Sequence, residues 1–473
     1  MIKTIKEYRP VWTLAFAICG LATLALPLLG WNMRLAFWLP IAVVCLLIGI
    51  TFAPQRSGLI WALLLTATFL PWGKQFSLGT PLARPLFIPT YIADIFLAIL
   101  IMLTLWDVFS KRMSWRFSWV DAGFALCMGA TLASWYNAPD SPAVWGRIAE
   151  WGRAWLCFTI ARIRLSADAE QKWFVNSILI LLVLNGIFVI FSAITGNNFG
   201  FWDKPGGGIL VLFEGRMALY RAGSTVEPNV ISQIASLWLA FVVAGMIIAG
   251  RRKPVFWLAL AGCVVALLLS FSRAGWLTAV AGVGLISFMG IMTKPLTSTR
   301  RIVTVAGFIL LLLVIVGAGI YIVGELSESS VTSAVSRLGM SQTAIKMWND
   351  HPLLGIGAGN YLDLVLVYTP VTAMFVPVHN LYLETLAETG LIGISALALV
   401  ILVLMVPTAI RANYLFKRGG WMAAGIWCGL VGMWLRLAVT MSFHDPTVLS
   451  HLFLAGGFLL ALCYPRRAEK DKG

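Results

Sequence analysis

Charged residues are scarce in this chain. They make up 12% of its 473 residues, and only 20 are acidic, against 35 lysines and arginines. A soluble globular domain carries about 25% charged residues, so the composition excludes an ordinary soluble protein. The formal net charge of +15 does not indicate a nucleic-acid partner, because the basic residues lie in short segments between apolar runs.

Groups that commonly bind metal ions are also missing where they would be needed. The chain has four histidines, and no DxD or HxH pair occurs in its two long polar segments, 196–227 and 325–379. A hard cation requires clustered oxygen ligands. The seven cysteines lie inside apolar runs and form no CxxC pair, so we expect small buried side chains. The sequence therefore predicts neither a metal nor a cofactor.

Apolar residues are abundant instead. The chain is 60% hydrophobic, and its mean hydropathy is +0.87. A helix needs about 20 apolar residues to cross a bilayer, and many such runs are present. They predict an all-α polytopic membrane protein with about 12–14 transmembrane helices in one membrane domain, 1–473. The candidate spans are 11–30, 36–53, 57–72, 89–108, 119–136, 148–162, 173–194, 228–249, 255–271, 274–292, 302–323, 382–407, 420–441 and 447–464.

The positions of the basic residues predict an orientation. Lysines and arginines concentrate in every second connection and at both termini, as they do on the cytoplasmic side of membrane proteins. Both termini are then cytoplasmic, and the segments 196–227 and 325–379 are external loops. Short inner loops and long outer loops predict that the chemistry takes place at the outer face.

The second external loop contains a predicted helix over 331–348. We expect its apolar face to comprise Val331, Val335, Leu338 and Ile345 and to lie on the membrane surface. The glycine-rich stretch HPLLGIGAGNYL that follows predicts turns or a close backbone approach.

A polar stripe marks the start of the twelfth span. Asn380, Glu384 and Glu388 are spaced i, i+4, i+8, so they share one helix face. Polar side chains in an apolar span are costly unless they face a wet cavity or a partner. The two glutamates also fit a structural role near a helix N-terminus, where acids are favourable. His379 precedes the stripe and fits either a catalytic base or a helix cap.

External arginines provide the complementary charge. Arginine suits bidentate phosphate binding, and histidine suits proton abstraction near neutral pH. Arg221, Arg273 and Arg337 therefore predict, together with His379, a site for a glycan linked to a lipid diphosphate. Arg273 also fits an anchor for its turn. Arg436 lies inside the thirteenth span, and the sequence assigns it no partner.

At these residues the chain resembles the O-antigen ligase and polymerase superfamily of integral-membrane glycosyltransferases. The similarity is carried by HN-x9-G-x2-G at His379, Asn380, Gly390 and Gly393, by SRAG at Ser272 to Gly275, and by EPN at Glu227 to Asn229. The stretch from Arg337 through HPLLGIGAGNY supports it. The resemblance covers roughly residues 220–400.

The resemblance implies a GT-C-like fold in the bacterial inner membrane. It implies an undecaprenyl-diphosphate-linked glycan donor, inversion at the anomeric carbon, a periplasmic active site, and no metal. The acceptor would be a lipid A core or another glycan. His379 and Arg273 are then the catalytic residues. The predicted diphosphate- and substrate-binding residues are Arg221, Arg337, Ser272, Asn229, Glu227, Asn380, Tyr382 and Glu384.

Several functions stay open from the sequence. Ligation to a lipid A core, polymerisation of repeat units and transfer to protein hydroxyls share the same chemistry. A lipid-linked glycan flippase would instead line a path with intramembrane polar residues such as Asp94, Glu150 and Arg436. The chain lacks the internal repeats common in transporters. A non-catalytic scaffold would tolerate loss of His379 and the outer arginines.

Overall fold

The structure is a computed structural model of the chain. It describes residues 56–69, 73–80, 83–115, 117–195, 211–213, 216–218, 222–224, 226–248, 254–292, 329–369, 378–440 and 442–465. The predicted spans 11–30, 36–53 and 302–323 lie outside these residues, as does the predicted substrate ligand Arg221.

Helices build the described part of the chain. They are α1 (Arg56–Thr68), α2 (Ile92–Phe109), α3 (Trp119–Ala133), α4 (Ser141–Arg164), α5 (Asp168–Thr195), α6 (Pro228–Val243), α7 (Pro254–Leu269), α8 (Arg273–Met292), α9 (Ser329–Asp350), α10 (Tyr361–Tyr368), α11 (Leu381–Phe416), α12 (Trp421–Arg436) and α13 (Pro446–Cys463). A π-helical turn at Ala244–Ile248 extends α6, and short 3-10 turns lie at Ser134–Asn137 and Ser442–His444.

Two antiparallel hairpins lie in the connections. β1 (Gly73–Thr80) pairs with β2 (Ala83–Tyr91), and β3 (Val211–Phe213) pairs with β4 (Arg216–Ala218). The hydropathy pattern does not predict these strands. The first hairpin joins α1 to α2, so these helices occupy less of the chain than the predicted spans 57–72 and 89–108.

Five helices of the described residues are long and apolar enough to cross a membrane. They are α5, α6 continued to Met246, α8, α11 and α13, and shorter apolar helices lie at Gly58–Thr68 and Pro254–Leu269. The chain is therefore an all-α polytopic membrane protein. The bounds of α11 differ most from prediction, because the helix runs to Phe416 and not to 407. Hydropathy predicts only the part of a helix that crosses the apolar layer of the membrane. The helix itself continues for as long as its backbone hydrogen bonds are made.

Helix α6 lies at the centre of the bundle. Every residue from Pro228 to Val243 except Asn229 is buried, and the helix packs against α7, α8 and α12. The helix is thus buried on all sides and belongs to the interior, although Ser232, Gln233 and Ser236 are polar. Trp238 of α6 donates through Nε1 to Nδ1 of the buried His451 on α13, at 3.1 Å. This contact gives His451 a structural role. The described cysteines are free and buried, namely Cys127, Cys157, Cys263, Cys428 and Cys463.

Polar contacts connect neighbouring helices at both ends of the bundle. We call the end of the bundle that carries His379 and Asn380 the HN end. There, Leu381 N donates to Leu437 O at 2.8 Å. Ion pairs cross the opposite end, where Arg162 contacts Asp121 at 2.7 Å and Arg164 contacts Glu170 at 2.8 Å.

The helix predicted at 331–348 is present as α9, and it has a second, buried face that the sequence analysis does not single out. Leu338 and Ile345 are 62% and 41% exposed, whereas Met340, Ala344 and Met347 are buried. The buried residues share one face at spacings of four and three, and α9 packs against α11. Packing against α11 therefore buries the face that carries Met340, Ala344 and Met347, and it leaves Leu338 and Ile345 exposed.

Candidate functional site

The polar start of α11 is organised by Asn380. Its side-chain oxygen accepts from Tyr382 N at 3.0 Å and from Leu383 N at 3.1 Å, so Asn380 is the N-cap of the helix. His379 precedes the cap and is partly buried. The Tyr382 hydroxyl donates to Trp434 O at 2.7 Å, which ties the helix start to the end of α12. The predicted binding residues Asn380 and Tyr382 thus make structural contacts here.

Helix α11 is interrupted at Gly390, where a loop docks into the break. We call residues 352–361 the docked loop. Gly390 has φ 62° and ψ −161°, so the backbone groups around it face outward. Four backbone hydrogen bonds join the segments: Ile356 N to Ala387 O (3.0 Å), Gly357 N to Glu388 O (3.0 Å), Leu391 N to Pro352 O (2.9 Å) and Ile392 N to Leu353 O (3.3 Å). The loop thus replaces helical hydrogen bonds that the break removes.

The two backbones approach so closely that only glycine fits. A Cβ on Gly390 would lie 2.3 Å from the carbonyl carbon and oxygen of Leu353, and one on Gly355 would lie 2.3 Å from the carbonyl carbon of Glu388. Both glycines also have positive φ, at 62° and 69°. The first glycine of the G-x2-G pattern therefore serves the docking of this loop.

The other side of the docked loop rests on the turn after α3. Asn137 Nδ2 donates to Gly355 O at 2.8 Å, and Ala358 N donates to Ser134 Oγ at 3.0 Å. Asp140 N donates to the side chain of Asn360 at 2.9 Å. The loop is therefore held between two parts of the bundle, although it belongs to a segment predicted to be external.

A buried ion cluster lies beside the docked loop. Its members are Arg147 and Glu150 of α4, Glu384 and Glu388 of α11, and His444. Arg147 contacts Glu384 at 3.0 Å, Glu150 at 3.1 Å and Glu388 at 3.6 Å. His444 contacts Glu150 at 2.7 Å and Glu384 at 3.4 Å. Two cationic side chains thus face three carboxyl groups inside the protein and offset most of their negative charge.

The ion cluster keeps His444 protonated near neutral pH. Burial and the Arg147 guanidinium act to lower the pKa of His444, but Glu384 and Glu150 outweigh them and raise it from 6.5 to about 9. A cavity of about 30 Å³ adjoins the cluster and is also lined by Thr131, Thr385 and Thr389. It has room for water but not for a sugar, so the cluster is a polar core in this state.

Protonated His444 is expected to stabilise the fold only below alkaline pH. Its folded-state pKa is higher than the unfolded value, so its contribution is fully present below pH 6.5 and is lost as pH rises through about 9. We expect the melting temperature of the purified protein to fall over this interval by more than that of His444→Gln. Thermal unfolding at constant ionic strength measures the difference. Parallel pH curves for the two proteins would contradict this assignment.

Arg436 connects two of the sequence motifs. The side chain is 2% exposed, and its Nη2 donates to Ser232 Oγ at 2.8 Å, Asn229 O at 2.9 Å and Ser272 Oγ at 3.2 Å. Asn229 ends the EPN motif at the start of α6, and Ser272 begins the SRAG motif before α8. One buried guanidinium therefore holds both helix starts together at the HN end.

Two arginines from different helices, Arg273 and Arg337, lie close enough for their charges to interact. Arg273 begins α8, and Arg337 lies on α9. The pKa of Arg337 is lowered, first by partial burial and then by the positive charge of Arg273. In the described part of the chain, neither guanidinium forms an ion pair. Like charges held together in this way favour binding of an anion. We call Arg273 and Arg337 the cationic pair.

A short path of contacts joins the cationic pair to the polar start of α11. Leu381, two residues after His379, bonds to Leu437. The neighbouring Arg436 bonds to Ser272, and Arg273 follows directly. The predicted residues His379, Ser272 and Arg273 thus belong to one end of the bundle.

Other predicted residues are placed differently. Arg221 lies outside the described residues. The next residue, Ala222, donates its N–H to Leu269 O at 2.9 Å, three residues before the SRAG motif. Glu227 is exposed at the start of α6, and its side chain does not cap the helix. Asn229 contributes its backbone oxygen to the contact with Arg436.

Sequence reasoning missed most of the ion cluster. Arg147, Glu150 and His444 were not predicted as one group, and Glu384 was predicted to bind substrate as well as fitting a structural role. The available signal was an arginine and a glutamate three residues apart at the start of a weak span, since such charges need partners inside a membrane protein. In the described residues, no group of three or more His, Cys, Asp or Glu side chains is arranged to hold a metal ion.

Comparison with known proteins agrees with these motifs. Residues 257–398 match the family model described as O-antigen ligase. The matched stretch contains the cationic pair, the docked loop and the HN-x9-G-x2-G pattern, while EPN lies before it. The comparison with curated proteins found no match. The sequence motifs and the family match together show that residues 257–398 of this helical membrane protein are similar to the O-antigen ligase family.

Proposed function

We propose that the protein transfers a glycan from an undecaprenyl-diphosphate-linked donor to a hydroxyl acceptor at the outer face of the bacterial inner membrane. The cationic pair, with Arg221, binds the diphosphate. His379 accepts the proton of the acceptor hydroxyl. The acceptor is a lipid A core, as in O-antigen ligation.

The observation that carries this proposal is the cationic pair. Arg273 and Arg337 come from separate elements, yet they lie close enough for one charge to lower the pKa of the other. Keeping two cations together costs energy unless an anion binds between them. A diphosphate supplies that anion, and guanidinium groups bind its oxygens with charge-assisted hydrogen bonds.

The chemistry follows from this placement. The acceptor oxygen attacks the anomeric carbon from the side opposite the diphosphate, so the configuration inverts. The bond from that carbon to the diphosphate oxygen breaks, and the leaving group departs with the electron pair. The cationic pair stabilises the charge that develops, an effect worth about 100–1,000-fold for one donor. A positioned base such as His379 contributes about 100–10,000-fold. The proposed reaction needs no metal because the arginines supply the positive charge.

A transfer assay on purified protein tests the proposal. The reaction contains a polyprenyl-diphosphate-linked glycan, an acceptor glycolipid and EDTA. We expect transfer by the wild type and a loss of at least about 100-fold in His379→Ala and Arg273→Ala. Arg418→Ala is the matched control, because Arg418 is exposed and stacks on Tyr414, 4.5 Å away, at the opposite end of the bundle.

Each other outcome identifies a rival. Equal activity in all four proteins would refute the site assignment. Neither transfer nor movement of the donor by any of the four favours a scaffold role. Donor that crosses the bilayer without transfer indicates a flippase. Growth of the donor glycan itself, with no product on the acceptor lipid, indicates a polymerase. Loss of activity in the presence of EDTA that Mg²⁺ restores would overturn the metal-independent mechanism.

A further inference from the structure

We propose that Arg147 is a positioning residue that holds the docked loop and the start of α11 in one fixed arrangement. It does so through Glu384 and Glu388, and it does not itself contact substrate. The part of this inference that concerns His379 rests on the proposed function. The part that concerns the docked loop does not.

The first step is the pairing of Arg147 with two acids on one helix face. Glu384 and Glu388 are one turn apart on α11, and like charges at this spacing repel each other. Their side chains are only 4% and 6% exposed, so water screens the repulsion poorly. The Arg147 guanidinium contacts both carboxylates. It therefore offsets the repulsion between the two neighbouring buried acids.

The second step runs from Glu388 to the docked loop. Glu388 Oε2 accepts from Gly359 N at 2.8 Å, and Oε1 accepts from Tyr361 N at 3.3 Å. An ionised carboxylate is a stronger acceptor than a neutral acid. Arg147 favours the charged form of Glu388 and thereby strengthens the contact of this carboxylate with the C-terminal half of the loop.

The third step runs from Glu384 to the start of α11. Glu384 lies four residues after Asn380, and its carboxylate is anchored on Arg147 and on His444. This fixes the first turn of α11 against α4 and the turn at Ser442–His444. His379 lies two residues before Leu381, the first residue of α11. A displacement of about 1 Å at a reacting group can cost about 100-fold in rate.

Two substitutions and one control test the proposal. Arg147→Met removes the charge and keeps an apolar stem, and Arg147→Lys keeps the charge without the guanidinium fork. Arg153→Met is the matched control, because Arg153 lies on the same helix and pairs with Asp94 at 2.8 Å, away from the docked loop. Hydrogen exchange is followed at the loop amides of Ile356, Gly357, Gly359 and Tyr361.

We expect faster exchange of the loop amides in Arg147→Met, an intermediate rate in Arg147→Lys, and a wild-type rate in Arg153→Met. In the transfer assay, kcat of Arg147→Met should fall about 10–100-fold. KM for the donor should change less than about threefold, because the cationic pair is untouched. Lysine should restore part of kcat.

The exchange measurement needs no donor, so it is informative even where the proposed function fails. Wild-type exchange and wild-type kcat in Arg147→Lys and Arg147→Met would overturn the proposal. Equal acceleration of loop exchange in Arg153→Met would overturn it as well, because any buried ion pair of α4 would then have the same effect. If Arg147→Met does not fold, the lysine variant decides by the same two measurements.

Discussion

Alanine at position 390 is expected to abolish transfer and to destabilise the protein by about 2–6 kcal/mol. About 1–3 kcal/mol arises from the backbone at Gly390, whose φ of 62° and ψ of −161° fall in a region that only glycine occupies comfortably. A further 1–3 kcal/mol or so arises from overpacking, because the added Cβ would lie 2.3 Å from backbone atoms of Leu353. A backbone cannot rotate away as a side chain can.

The expected damage is local and reaches the proposed site. Relief of the overlap requires the docked loop to move away, which breaks its hydrogen bonds to residues 387–392. Loss of the docked loop also removes the N–H groups of Gly359 and Tyr361, which donate hydrogen bonds to the Glu388 carboxylate. The ion cluster and the first turn of α11 then lose their fixed arrangement.

Chemical denaturation and the transfer assay measure the two effects. Gly129→Ala is the matched control, because Gly129 lies inside α3 and a Cβ there meets no atom within 4 Å. That control should keep its activity and gain up to about 1 kcal/mol from helix propensity. A Gly390→Ala protein with wild-type stability and activity would show that the loop does not need the close approach.

Hydropathy and capping chemistry were sufficient for much of the fold. Both depend on residues near each other in sequence, so the membrane helices and the start of α11 could be predicted, although the possible cap named there was His379 and the cap in the structure is Asn380. The ends of α11 and α12 were less well predicted, because a helix does not stop where the apolar run stops. The buried face of α9 was not predicted, because the packing against α11 decides it.

Partners distant in sequence could not be predicted. Glu384 pairs with Arg147, which is 237 residues away, and no local pattern encodes that meeting. The polar stripe was recognisable, and its need for partners followed from the cost of burying charge. The identity of the partners required the tertiary structure. The same holds for Gly390, whose role depends on a loop that precedes it by some 30 residues in the chain.

Arg436→Met is expected to lower kcat/KM for the lipid-linked donor by about 100-fold or more, an effect on the scale of one lost electrostatic contact in an active site. Arg436 Nη2 holds Ser232, Asn229 and Ser272 within 2.8–3.2 Å. Without it, the start of α8 is no longer tied to the start of α6. Arg273 is the residue next to Ser272, so the cationic pair loses its fixed position.

Stability should change much less than activity in this variant. A buried guanidinium loses several kcal/mol of hydration on folding, and this loss largely offsets its hydrogen bonds. Methionine removes the charge and refills most of the apolar volume. We therefore expect the melting temperature to stay within a few degrees of the wild type, a change of about 1–2 kcal/mol. A large loss of stability would instead assign Arg436 a role in folding alone.

Two comparisons separate positioning from general damage. Arg411→Met is the matched control, because Arg411 Nε also donates to a backbone oxygen, that of Cys463 at 3.0 Å, but at the opposite end of the bundle. It should keep nearly full activity. Arg436→Lys should recover part of kcat/KM, since one ammonium can donate to all three oxygens. Because both helix starts meet at one nitrogen of Arg436, unchanged kcat/KM in Arg436→Met would mean that α6 and α8 are held together by other contacts and that the position of Arg273 does not depend on this side chain.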